Sequence, residues 1–183
     1  MVYPITKFWF YPLNWLMIKR IKGESNIPAN SNFIIVSNHE KLIDPLYILY
    51  PILKKLNKKV HFLSTGRWWF FGDTICRRWA GCIPLFNAEQ AYNEAKELIK
   101  SKEIIGIFPE GGTQRTKNPK TGSIRLAIET NVLVLPVGLR SSYFPFTSVL
   151  SIGKPIYFKS KKNIKNQAKE LMKCIYKLRN SLN

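Results

Sequence analysis

The chain is punctuated by short, continuous apolar runs, each too brief for a helix and most followed by a stretch with helical spacing, and this alternation limits the folds open to it. Residues 33–36, 60–64, 82–86, 104–108 and 132–139 read as strands, with a shorter one at 18–22 and a late strand or hairpin at 150–158. Helical spacing follows Pro45, resumes at 87–100 behind the capping-box pattern Asn87-Ala88-Glu89-Gln90, and returns at 121–130. It is clearest at the end of the chain, where Ile164, Ala168, Leu171, Ile175, Leu178 and Leu182 make one stripe with lysines opposite. Strands alternating with helices predict an α/β domain: a layered, mixed sheet flanked by helices. No repeat or internal linker divides it, and 183 residues with 45% hydrophobic content suffice for one core, so residues 19–183 are expected to form a single domain.

Residues 1–18 stand apart. Eleven uncharged residues lie between Lys7 and Lys19, among them Phe8, Trp9, Phe10 and Trp15. At about 1.5 Å per residue, such a helix covers roughly half of a ~30 Å hydrocarbon core, so it is too short to cross a bilayer. Aromatic rings favour the headgroup level and flanking lysines favour anionic lipid. The expectation is an aromatic, amphipathic helix that anchors a peripheral or monotopic protein, with Phe8, Trp9, Phe10 and Trp15 meeting the membrane. The plainer alternative is a helix that only caps the core. No small-residue cleavage site follows the segment.

Twenty-nine Lys and Arg against 11 Asp and Glu give a net charge of +18, which draws anionic partners: nucleic acid or an acidic bilayer surface. No zinc-finger, bZIP or RRM signature is visible, so a basic nucleic-acid-binding module is the weaker reading and no nucleic acid is expected as partner. Cys76, Cys82 and Cys174 are odd in number and lack metal-ligand spacing, which fits a reducing compartment and the cytoplasmic face of a membrane, with no metal site.

Two segments carry chemistry. In Ser37-Asn38-His39-Glu40-Lys41-Leu42-Ile43-Asp44-Pro45, His39 leaves a strand and Asp44 enters a helix as its N-cap, with Pro45 at the first helical position. A short loop then brings imidazole and carboxylate within hydrogen-bond reach, as general-base chemistry requires. A cap and an ordinary loop residue would look the same. In Phe108-Pro109-Glu110-Gly111-Gly112-Thr113-Gln114-Arg115, a strand breaks into a glycine-bearing loop with Lys117 and Lys120 close behind, a setting for phosphate. Between them, the aromatic segment 66–72 is a candidate groove lining. The other histidine, His61, reads as structural.

Four blocks in order resemble the glycerolipid acyltransferases related to lysophosphatidic acid acyltransferase: Asn38-His39 with Asp44, Gly81-Cys82-Ile83-Pro84, residues 108–115, and Val134-Leu135-Pro136-Val137. Lys120-Thr121-Gly122 is similar to that family's Lys-x-Gly step. The resemblance spans roughly residues 18–158. It implies transfer of a fatty acyl group from acyl-CoA or acyl carrier protein, as thioester co-substrate, to a lysoglycerolipid hydroxyl, with no other cofactor. It implies His39 and Asp44 as the catalytic pair, and Asn38, Glu110, Gly111, Gly112, Thr113, Arg115 and Lys120 as substrate-binding residues. Two departures stand out: Phe86-Asn87 occupies the place where the family usually carries a phosphate-contacting arginine, and Gly112 is an insertion before the threonine. Arg67, Arg77, Arg78 or Lys117 are candidate replacements for the arginine. A lipid-binding relative without activity is the alternative that its loss raises.

Overall fold

The computed structural model describes residues 6–29, 32–65, 72–113, 116 and 118–182. Its strands are β1 (Ile18–Lys22), β2 (Phe33–Ser37), β3 (Val60–Ser64), β4 (Ile83–Pro84), β5 (Ile104–Ile107), β6 (Leu133–Arg140) and β7 (Ser148–Ile152). They form one sheet in the order β1-β7-β6-β2-β5-β3-β4. All neighbours run parallel except β6 and β7, so the sheet is mixed. The helices are α1 (Thr6–Met17), α2 (Asp44–Leu56), α3 (Ala88–Lys100), α4 (Gly122–Thr130) and α5 (Ile164–Asn180), with one π-helical turn at Thr74–Trp79.

Strand β2 shows why the apolar runs are continuous. Phe33 and Ile35 pack with Tyr47, Ile48 and Ile52 of α2, whereas Ile34 and Val36 pack with Ala91, Ala95, Ile124, Ala127 and Ile175 from α3, α4 and α5. A strand covered by helices on both faces needs an apolar residue at every position. The late segment resolves into β7, antiparallel to β6, followed by a single bridge from Ile156 back to Val134.

Helix α1 corrects one expectation. Phe10, Asn14 and Met17 form its buried stripe, and Phe10, at 1% exposure, packs against Tyr50 of α2 with ring centroids 6.3 Å apart. Phe10 therefore belongs to the core and not to a membrane face, because helical spacing turns it inward with Asn14 and Met17. Phe8, Trp9 and Trp15 face outward. Among the described residues, no helix is long and apolar enough to cross a membrane.

Helix α5 lies directly on β6. A Cβ placed on Gly138 would sit 2.3 Å from the backbone nitrogen of Arg179, so only glycine permits this approach.

Candidate active site

Strands β2 and β5 are parallel neighbours, so the loops leaving their carboxyl ends emerge side by side. At the end of β2, Asn38 is pinned to β6: its side-chain amide donates to Leu139 O at 2.7 Å and accepts from Leu139 N at 2.8 Å. Both ends of a buried amide are thereby used. Asn38, expected among the substrate-binding residues, is buried here and spends its side chain on β6.

His39 follows. Its Nδ1 lies 3.0 Å from Asp44 Oδ2, and the same oxygen accepts the backbone N–H of Glu40 at 2.5 Å and of Lys41 at 2.9 Å. Asp44 is fully buried. It opens α2, with Pro45 next to it, but its carboxylate ties the preceding loop instead of capping the helix's own amides as an N-cap does. Phe108 stacks on the imidazole with centroids 4.2 Å apart and planes 18° from parallel, and Phe62 backs Phe108 at 5.7 Å. The ring is thus fixed by an acid at one nitrogen and an aromatic plane against its face.

Two further carboxylates hold the loop. Glu110 Oε2 accepts the His39 backbone N–H at 2.6 Å, while its Oε1 accepts the hydroxyl of Tyr176. Glu40 Oε2 accepts the Ser141 N–H at 3.2 Å, and its Oε1 accepts Arg179 Nε. Tyr176 and Arg179 both belong to α5. Glu110, expected among the acceptor-binding residues, instead spends both oxygens on the protein, as the strut beneath His39.

After Glu110 the chain turns at Gly111, with φ +72°, and Lys120 N donates to Pro109 O at 2.8 Å, closing the loop. A Cβ on Gly111 would meet Lys120 Nζ at 2.8 Å, so the ammonium rests against this turn. The loop borders a cavity of about 660 Å³, within the range of small-molecule sites. Its walls are largely apolar, including Leu46, Leu49, Phe62, Leu63 and Ile75. His39, Gly111, Gly112, Thr113 and Lys120 also line it, as does Ser123 in the first turn of α4. The Ser123 hydroxyl is buried without a hydrogen-bond partner among the described residues. Burial pushes the Cys82 thiol, also in the wall, up to about 11, and pushes the Tyr92 phenol up to about 12.

Arg115, Lys117 and the aromatic segment 66–71, with Arg67, lie outside the described residues. Asn87 is a helix cap: its Oδ1 accepts from Glu89 N at 2.9 Å and Gln90 N at 3.1 Å. Arg77 is committed to Asp73 at 3.3 Å and Glu94 at 2.6 Å. Among the described residues, Lys120 is the cation that lines the cavity. No group of three or more His, Cys, Asp or Glu is placed to hold a metal, again among the described residues. Sequence reasoning missed Glu40, Ser123, Tyr176 and Arg179. Their only trace is the placement of Tyr176 and Arg179 three residues apart on α5, hence on one helix face.

An imidazole braced by a buried acid, at the carboxyl end of a parallel strand and bordering an apolar hollow, is the arrangement of a layered α/β domain with the geometry that general-base chemistry needs. The similarities are specific. Residues 19–140 match the family model described as Acyltransferase, and the chain belongs to that family. It is 29% identical over 149 residues to a 1-acyl-sn-glycerol-3-phosphate acyltransferase of Borreliella burgdorferi, covering 75% of this chain and 58% of that protein. The chain thus spans little more than half the length of this curated relative. The fold is similar to the crystal structure of the 1-acyl-sn-glycerophosphate (LPA) acyltransferase PlsC from Thermotoga maritima, with a TM-score of 0.69 and 24% identity over 96% of this chain and 79% of that one.

Proposed function

We propose that this chain transfers a fatty acyl group from an acyl thioester, carried by coenzyme A or acyl carrier protein, to the free hydroxyl of a lysoglycerolipid of the lysophosphatidic acid type. The observation that carries the reading is the 3.0 Å contact between His39 Nδ1 and Asp44, made by a ring that borders the apolar cavity. With Nδ1–H donated to the carboxylate, the tautomer leaves Nε2 as a base. Nε2 takes the acceptor hydroxyl's proton while its oxygen attacks the thioester carbonyl. Asp44 stabilises the imidazolium so formed. Collapse of the tetrahedral intermediate breaks the carbon–sulfur bond, and the thiolate leaves with the proton held by His39. The ester and the free thiol are the products.

The cavity suits the acyl chain, since each buried methylene contributes about 0.8 kcal/mol. Lys120, with Ser123 in the first turn of α4, supports a place for the acceptor phosphate where the family's usual arginine is replaced by Asn87. Gly111, Gly112 and Thr113 supply the adjoining loop surface. The outward rings of Phe8, Trp9 and Trp15 fit an enzyme docked on the bilayer in which its acceptor is dissolved. The test is product analysis with a panel of lysolipids and both donor classes, for wild type and His39→Ala. The variant is expected to lose ~10³-fold in rate. Equal rates in the two proteins would remove the mechanism.

A further inference from the structure

The loop joining β6 to β7 holds a cluster of rings that the chemistry above does not use. Tyr143, Phe144 and Phe146 are 55%, 73% and 50% exposed, and Pro145 lies among them. Scattered apolar residues are ordinary on a surface, but three aromatic rings within four residues make a patch.

The loop is built, not slack. Thr147 Oγ1 donates to Phe144 O at 2.6 Å and Phe144 N to Ser142 Oγ at 3.1 Å. Phe146 sits at φ +56°, a left-handed conformation that an aromatic residue rarely adopts. In that conformation, its backbone N–H donates to Leu16 O of α1 at 2.8 Å, and its ring meets Trp15 edge-on with centroids 6.0 Å apart. The patch is therefore continuous with the outer face of α1, where Phe8, Trp9, Leu13, Trp15 and Leu16 are exposed. Cations border it. The Lys41 ammonium stands 5.5 Å over the Tyr143 ring, and exposed Lys19 and Arg20 lie on β1, which pairs with β7 from Ile18 opposite Ser148.

We infer that residues 143–146 form a second membrane contact, entering the same anionic bilayer as α1 and setting the orientation of the site toward it. Rings for the headgroup layer, rimmed by lysine and arginine, fit an acidic lipid surface. The loop's roots reach the catalytic segment. Tyr47 OH donates to Ser142 O at 2.7 Å, and Ser141 N–H is held by Glu40, the neighbour of His39. The orienting role rests on the function proposed above, whereas the membrane contact itself does not.

The experiment compares the full chain with Phe144→Ser and with Phe144→Ser/Phe146→Ser. Partition onto vesicles of phosphatidylcholine with phosphatidylglycerol is measured by co-sedimentation, and acyl transfer is measured to a vesicle-embedded lysolipid and to a short-chain lysolipid free in solution. The double variant is expected to bind vesicles ~10-fold more weakly and to lose activity on the embedded acceptor in proportion, with the soluble acceptor turned over within about twofold of wild type. Phe144→Ser, whose ring is the most exposed of the three, is expected to show part of the loss. Unchanged partition in both variants overturns the inference. So does a dimer in solution that the same substitutions disperse, which would assign the loop to a second copy of the chain. Because vesicle binding needs no turnover, weakened binding in a chain inactive on every lysolipid would keep the contact and discard the enzymatic reading. Full activity with unchanged binding would do the reverse.

Discussion

The Tyr176 hydroxyl and the Glu110 carboxylate, 66 residues apart in the chain, are hydrogen-bonded, and the other oxygen of that carboxylate takes the backbone N–H of His39 at 2.6 Å. Helix α5 thereby braces His39 through one intermediary. Tyr176→Phe removes only the hydroxyl. A hydrogen bond to a charged group contributes about 1.5–3 kcal/mol, so kcat is expected to fall about tenfold or more while the acceptor KM stays within about twofold. Steady-state kinetics with a lysolipid acceptor check this, and an unaltered kcat would show that Glu110 holds His39 unaided.

Asp44 both orients the imidazole and ties two amides. Asp44→Asn retains an oxygen for the Glu40 and Lys41 N–H groups but loses the negative charge and the tautomer control. The expected loss is ~10³–10⁴-fold in kcat with little change in melting temperature, as for other imidazole–carboxylate pairs. Asp44→Ala also strands those amides beside a buried site, at about 1–3 kcal/mol each, so it should unfold more easily as well. Thermal melts run beside the assay separate the two effects.

Gly138→Ala tests the seat of α5 on β6. The added methyl meets Arg179 N at 2.3 Å and the Leu178 backbone carbon at 2.7 Å, and backbone cannot swing aside as a side chain can. Overpacking of this kind costs roughly 1–3 kcal/mol. A lowered denaturation midpoint together with reduced kcat is expected, because displacing α5 moves Tyr176 and Arg179 with it.

The cavity should act as a ruler for the acyl chain. Ala95 is buried in α3 and borders the cavity, so Ala95→Leu fills part of it. Each methylene then excluded forfeits about 0.8 kcal/mol, or roughly fourfold in kcat/KM. Competition among thioesters of graded length should show the preference moving to shorter chains.

His61 gives a stability signature distinct from catalysis. Burial pushes its imidazole below the ordinary value, outweighing the opposing pull of Glu103, whose Oε2 is 3.5 Å from Nε2. A histidine with a depressed folded value takes up its proton more readily when unfolded. Its contribution is therefore present above the usual histidine pKa of about 6.5 and is lost as pH falls below it. Denaturant midpoints between pH 7.5 and 5 should decline for wild type and decline less for His61→Gln.

How much of this was legible depends on sequence distance. His39 and Asp44 are five positions apart, so strand exit and helix entry alone confine the pair, and the Asn87 cap is as local. Phe10 was misplaced because aromatic residues occur on both faces of the segment, and only the packing of α1 against Tyr50 says which of them turn inward. For Glu110 and Asn38 the partners Tyr176 and Leu139 lie 66 and 101 positions away, so no neighbouring residues show that these side chains bond within the protein.

By itself, the sequence determined the alternation of strands and helices and the local histidine–aspartate pair, because periodicity and short loops act over a few residues, and its four ordered blocks carried the resemblance to the family. The tertiary structure alone decided that β2 lies between β5 and β6, that α5 reaches the loop carrying His39 and Glu40, and that the Phe146 ring meets Trp15. Those contacts follow from sheet order and from the close approach that Gly138 allows, and no stretch of neighbouring residues encodes which distant surface it will bury.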